Sequence, residues 1–448
     1  MSYRKLWHIV LATALLAAAI VVLSATAAGE VATERESERA LTANNERIMV
    51  EYLRLETCTM VDSACNVITD STGHLRPLME KLYALRCGAD SVVSILHIGD
   101  SHVQAGFWTA RIREHMQRDF GNAGRGLIVP YKLTGSNEPA NYAVRTNLPI
   151  SAVRTNPKSE KQPSPTSVSF MFDGPDAEFE IWSKNGFNSL TVLHHPQAPM
   201  LAPPDDLAMG TYCTIDNTPT STRILLTRKV DTLTLRGRVE AGFETPEYYG
   251  FSLENGQPGV LYHAIGYNGA AFQHIGENTT ILDGGLSSLS PDLIVISLGT
   301  NNCYGGNYRS EQAEQAVRRF MDRIAAAFPD ALLLYTTPRE SARSLRRPRE
   351  ANPNIVDVGR IIRQAAQERG AAVWDMYDAT GGKGTSEKWY TEGLMNRDRI
   401  HLTEKGYTLT GDMLYEALAK YYNDWLDSTH PTENGGGGVP KADTLQNR

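Results

Sequence analysis

Ser91-Val92-Val93-Ser94-Ile95-Leu96-His97-Ile98-Gly99-Asp100-Ser101-His102 is an apolar, β-branched run that stops abruptly at Gly-Asp-Ser. Its Val-Val and Ile-Leu content predicts a buried strand from Ser91 to Ile98. Past the turn, Ile112, Met116 and Phe120 recur every four residues, so Phe107 to Phe120 reads as an amphipathic helix that Gly121 stops.

The same alternation resumes from Asp292. Leu293–Leu298, Ala331–Tyr335 and Ala371–Trp374 read as strands. Ser310–Phe328, with Val317, Phe320, Met321 and Ile324 on one face, and Ile355–Arg369, closed by Gly370, read as helices. A last helix begins at Thr403, an N-cap, and buries Leu414, Leu418, Tyr421 and Trp425. Strands alternating with helices imply a flavodoxin-like, doubly wound α/β fold: a parallel sheet with helices on both faces.

The middle of the chain follows a period of two instead. Ser167–Phe172, Glu178–Trp182, Ser189–Leu193, Arg223–Thr227, Thr232–Arg236 and Tyr249–Leu253 read as short strands, with Asp173-Gly174 and Asn185-Gly186 as turns. This predicts an inserted β-sandwich-like domain. The expected organisation is a signal peptide or membrane anchor over 1–28, a helical lead-in over 29–87 and the first α/β part over 88–150. The insert follows over 151–262, then the second α/β part over 263–427 and a flexible tail over 428–448.

Arg4 and Lys5 precede an apolar run from Leu6 to Leu23, followed by the small residues Ala25-Thr26-Ala27. That pattern reads as a cleaved signal peptide in preference to a retained anchor, and either places the remainder in the periplasm or outside the cell. The formal net charge of −7 argues against a nucleic-acid partner. Association with the inner membrane would run through the N-terminal segment alone. The five cysteines, Cys58, Cys65, Cys87, Cys213 and Cys303, match no zinc spacing, so no metal is expected; Cys58 and Cys65 are near enough to pair locally.

Four pieces of sequence carry acyl-transfer chemistry, each at the end of a strand or the start of a helix. Ser101 ends the Gly-Asp-Ser turn; Asn268-Gly269 and Gly299-Thr300-Asn301 lie on loops; Asp398-Arg399-Ile400-His401 precedes the last helix. A serine hydroxyl needs a base to take its proton, and an imidazole needs a carboxylate to hold its tautomer. Backbone amides and a carboxamide supply donors for an oxyanion.

The order Ser, Gly, Asn, Asp-x-x-His resembles the SGNH branch of the GDSL hydrolases. That resemblance implies Ser101, His401 and Asp398 as the catalytic triad, with Ser101, Gly269 and Asn301 as oxyanion donors and no cofactor. His102 stands where the founding motif has Leu, and enters as a supporting hydrogen-bond partner in preference to a candidate substrate contact. Gly-Asp-Ser-His together with the long insert resembles the bacterial peptidoglycan O-acetylesterases of this superfamily. It implies an exported carbohydrate O-acetylesterase whose partner is an acetylated glycan. A glycan O-acetyltransferase with the same triad and a silent glycan-binding protein are the rival expectations. Trp182, Phe187, Tyr248 and Tyr249 of the insert are candidates for stacking on sugar, against a core role. Arg343, Arg346, Arg347 and Arg349 are candidates for an anionic glycan, against a solvated loop.

Overall fold

The computed structural model describes residues 47–48, 60–136, 138–154, 164–166, 168–172, 177–198, 200–204, 212–237, 247–276, 286–304, 307–343 and 350–430. The apolar N-terminal run, Cys58, Arg346, Arg347, Arg349 and the Gly435–Gly438 tail lie outside these residues. No described helix is long and apolar enough to cross a membrane. Two compact units divide the chain, Val50–Tyr421 and a smaller one of Met1–Met49 with Tyr422–Arg448. Within the smaller unit, Ile48 N donates to Asn423 Oδ1 at 3.0 Å and Asn423 Nδ2 donates to the Ile48 carbonyl at 2.9 Å.

The first sheet has six strands: β1 (Ile68–Thr69), β2 (Val92–Gly99), β12 (Gly259–Gly266), β13 (Leu293–Ser297), β14 (Leu332–Thr336) and β15 (Ala372–Trp374). Its spatial order is β12-β2-β13-β14-β15-β1, and every pairing is parallel except β1 with β15. Counting only the parallel strands along the chain, the order is 2-1-3-4-5, the flavodoxin-like arrangement expected from the alternation. β2 is buried along nearly its whole length, which explains its continuous apolar run. Of its two buried polar residues, Ser94 donates to the Leu289 carbonyl at 2.7 Å and His97 is satisfied by Tyr262 Oη at 2.9 Å and Ser297 Oγ at 2.7 Å. Burial holds that imidazole down at about 3, so it stays neutral.

The helices follow their predicted stripes. α1 (Arg76–Arg86) is followed by α2 (Ser101–Gln104) and α3 (Phe107–Phe120). α4 (Phe272–Gly276), α5 (Ser310–Ala327) and α6 (Asn354–Glu368) pack on one another. α5 buries Val317, Phe320, Met321 and Ile324. The final helix, Glu404–Thr429, takes Thr403 as its cap, whose hydroxyl accepts from Gly406 N at 3.3 Å. It meets α3 through Asp412, which accepts from Arg111 Nε at 2.6 Å and pairs with His115 Nε2 at 2.7 Å. Among the described residues of the lead-in, α1 is preceded by β1, which adds an antiparallel edge strand to the sheet.

The insert is a nine-stranded antiparallel sheet of β3 (Gly126–Ile128), β4 (Tyr142–Thr146), β5 (Ile150–Arg154), β6 (Val168–Phe172), β7 (Glu178–His194), β8 (Leu201–Ala202), β9 (Tyr212–Asn217), β10 (Ser221–Gly237) and β11 (Glu247–Glu254). It starts well before the expected boundary at 151. It also ends earlier than 262, because β12 pairs parallel with β2 in the other sheet. Two pairs of expected strands are single strands of 17 residues each, β7 and β10. Asn185-Gly186, expected as a turn, is a bend inside β7. Gly186 takes φ +64°, and a Cβ there would meet the Val230 carbonyl of β10 at 2.8 Å. Across the bend β10 shifts register twice, between Leu225 and Thr232.

The bent sheet closes over its own face, which gives the sandwich-like packing. The ring of Phe179, on the first half of β7, lies 5.0 Å from that of Phe170 and 6.0 Å from that of Phe251. Phe187, Tyr248 and Tyr249 are buried in this core, the role favoured for them over stacking on sugar, and Trp182 is half-buried. A single apolar cluster runs from Leu96 and Ile98 of β2 through Val129 to Phe170 and Phe179. The insert therefore shares its core with the α/β sheet.

Candidate active site

Register sets the site. Gly99 of β2 pairs with Gly266 of β12 on one side and with Ser297 of β13 on the other. The three strands end level, and the residues just beyond them, Ser101, Gly269 and Asn301, emerge at one carboxyl edge. This edge lies where the strand order reverses, the place ligands occupy in open α/β sheets.

Asp100 caps the nucleophile's short helix, its Oδ1 accepting from His102 N at 2.9 Å. Ser101 Oγ lies 3.0 Å from His401 Nε2, and His401 Nδ1 lies 2.7 Å from Asp398 Oδ2. The other Asp398 oxygen accepts from Ile400 N at 2.9 Å and His401 N at 3.0 Å. Burial alone would raise this carboxyl, but the hydrogen bonds from His401 and the two amides outweigh it and hold it at about 2. In return, the bond to Asp398 lifts the His401 imidazole above its ordinary value, against its burial. The turn that permits this puts Arg399 at φ +59°, a left-handed conformation uncommon outside glycine. Arg399 is tied down by Glu387, at 2.9 and 3.1 Å, and Asn396 accepts from Arg399 N and donates to the His401 carbonyl.

The three expected oxyanion donors do not stand alike. Ser101 and Gly269 both line a cleft of about 1200 Å³, and neither backbone amide has a protein acceptor among the described residues. The Asn301 carboxamide lines the same cleft but is engaged, donating to the Ala270 carbonyl at 2.8 Å and to Asp100 Oδ2 at 3.2 Å.

His102, weighed as a substrate contact against a hydrogen bond behind the site, takes the second role: its side chain is buried, with Nδ1 3.0 Å from Tyr407 Oη. Burial first, then the charges of His401 and Arg339, hold it at about 3, leaving a neutral ring beside the triad. Asp100, Asn396 and Tyr407 were not singled out from the sequence. Only Asp100 carried a signal, an aspartate at the N-cap position before a helix. Among the described residues no cluster of His, Cys, Asp or Glu could hold a metal ion.

Residues 241–409 match the GDSL-like lipase/acylhydrolase family. The chain carries a GDSL-like acylhydrolase domain. The match takes in Gly269, Asn301, Asp398 and His401 and begins past most of the insert, and Ser101 lies outside it. The chain superposes on a solved peptidoglycan O-acetylesterase with a TM-score of 0.67 at 20% identity, covering 80% of this chain and 99% of that one. That likeness is one of fold, the SGNH hydrolase fold with an inserted β domain. A lipase/acylhydrolase from Enterococcus faecalis aligns at 18% identity over 37% of this chain and 77% of its own, with a TM-score of 0.29. An acetyl xylan esterase aligns at 19% over 36% and 82%, also at 0.29. No curated protein matches the chain.

Proposed function

We propose that this acylhydrolase is an exported carbohydrate O-acetylesterase acting on acetylated peptidoglycan or a related envelope glycan. The observation that carries the reading is the unbroken chain from Ser101 Oγ through His401 to Asp398, at 3.0 and 2.7 Å, on the edge of a large cleft. Ser101 Oγ attacks the acetyl carbonyl as His401 Nε2 takes its proton, and Asp398 stabilises the imidazolium. The open amides of Ser101 and Gly269 receive the developing oxyanion, joined by Asn301. His401 then returns the proton to the departing sugar oxygen. Water, deprotonated by His401, attacks the acetyl-serine, and acetate leaves.

The acylhydrolase domain supports ester chemistry, and likeness in fold to a peptidoglycan O-acetylesterase supports the glycan. Export rests on the apolar segment from Leu6 to Leu23. The test is acetate release from O-acetylated peptidoglycan by the wild type and by Ser101→Ala. Loss of the nucleophile should lower the rate at least about 10³-fold while the circular dichroism spectrum is unchanged. A variant keeping more than about a tenth of the rate would remove Ser101 from the mechanism. Acetyl groups recovered on an acceptor sugar instead of as acetate would make the protein a transferase.

A further inference from the structure

Six large apolar side chains stand exposed among the described residues, and two of them are aromatic: Phe107, 43% exposed, and Tyr304, 38% exposed. Both line the Ser101 cleft. Single exposed apolar residues need no explanation, but two aromatic ones converging on the same cleft as the nucleophile do. We propose that Phe107 and Tyr304 are platforms for pyranose rings, making this cleft a saccharide-binding subsite that holds the polymer beside Ser101. The inference rests on the carbohydrate reading above and extends it by assigning substrate recognition to the α/β domain rather than to the insert.

The Phe107 ring is anchored from behind, and the backbone just before Tyr304 is pinned. Phe107 opens α3 and stacks on Tyr407, with ring centroids 6.4 Å apart and planes at 18°. Tyr407 is in turn fixed by its hydroxyl on His102. One face of Phe107 is thus held by protein while the side chain remains largely open to solvent. Tyr304 follows the Asn301 loop, which Asn352 Nδ2 pins by donating to the Cys303 carbonyl at 2.7 Å. A preset aromatic face binds without first losing rotamer freedom.

The rest of the lining decides between sugar and an acyl chain, which would also favour aromatic walls. Glu138, Asn141 and Asn268 bring a carboxyl and carboxamides to the same cleft. An alkyl chain would desolvate these groups without pairing them, at a cost, whereas sugar hydroxyls match them. The volume, about 1200 Å³, exceeds the roughly 300–1,000 Å³ of a site for one drug-sized ligand. An acetyl group alone would leave most of it unfilled.

The experiment uses the full chain with Ser101→Ala, which cannot turn over, and a β-1,4-linked N-acetylglucosamine tetramer as probe in titration calorimetry. Adding Phe107→Leu or Tyr304→Leu should weaken binding about three- to tenfold each, in line with aromatic contacts. Phe107→Tyr and Tyr304→Phe, which keep the ring, should bind within about twofold of the parent, and this guards against a merely misfolded leucine variant. The proposal fails if the parent does not bind the tetramer or if both leucine variants bind as the parent does. It fails equally if wild-type turnover of aryl esters climbs from acetyl to octanoyl and the leucine variants lose that climb, which would make the cleft an acyl groove. Tetramer binding without acetate release from acetylated glycan would sink the esterase reading and leave the subsite standing. Acetate release with unaltered binding in both leucine variants would do the reverse.

Discussion

Asn301 Nδ2 donates to the Asp100 carboxylate at 3.2 Å, joining the oxyanion loop to the residue immediately before the nucleophile. Asp100 is buried, and burial pushes its carboxyl up to about 7. One short contact thus ties the cap of the Ser101 helix, the end of β13 and, through the 2.8 Å bond to the Ala270 carbonyl, the Gly269 turn. The loops that must converge on a tetrahedral intermediate are already bound to one another without it.

Removing that side chain should therefore act on turnover more than on affinity. Asn301→Ala is expected to lower kcat on a small aryl acetate by about 10²–10³ while KM changes little, because the donor matters most when the oxyanion forms. A KM rise with kcat intact would show that Asn301 holds the ground state instead.

The pH profile follows from the two shifts within the triad. His401 must be neutral to take the serine proton, so kcat/KM should climb with pH through a value above the ordinary histidine one of about 6.5. Asp398, held at about 2, is ionised throughout the accessible range and adds no inflection. Asp398→Asn removes the main cause of the raised His401 value, so residual activity, down roughly 10⁴-fold, should show its inflection at lower pH. Asp100 titrates in the same region, so the shift between wild type and variant is the diagnostic quantity. An unmoved inflection would assign the titration to Asp100. For stability the signs are opposite. The Asp398 contribution is present above the unfolded carboxylate value and lost as pH falls toward about 2. The His401 contribution is present below the unfolded histidine value and lost as pH rises through the folded one.

Gly266 should prove intolerant for a steric reason. A Cβ there would lie 2.1 Å from Gln104 N and 2.3 Å from its Cα, contacts with backbone that no rotamer change relieves. Gln104 belongs to the same short helix as Ser101. Gly266→Ala is expected to destabilise by about 1–3 kcal/mol through overpacking. It should also cut kcat about 10²-fold by displacing the nucleophile. Thermal melting and aryl acetate kinetics check both, and a fully active variant would mean that α2 yields without moving Ser101.

Local chemistry in the sequence was enough for much of this protein. Continuous apolar runs located β2, β13, β14 and β15, and a period of about four the helices between them, since whatever face an element buries must be apolar. Asp398 and His401 are three residues apart, so their bond is a property of one turn. The α/β alternation carried the parallel sheet and, with it, the edge on which Ser101 and Asn301 emerge. Other features depend on partners distant in the chain, and only the tertiary structure decided them. β12, not singled out as a strand in the sequence, is placed by pairing along its whole length with β2. β7 and β10 run through their apparent turns because each holds the other across the bend. His102 turns inward because Tyr407, 305 positions away, accepts it there. Alternation tells which side chains of a strand share a face but not what covers that face. Hence Phe187, Tyr248 and Tyr249 of the insert, open to two readings in sequence, are core, and it is Phe107 and Tyr304 that the fold leaves exposed along the Ser101 cleft.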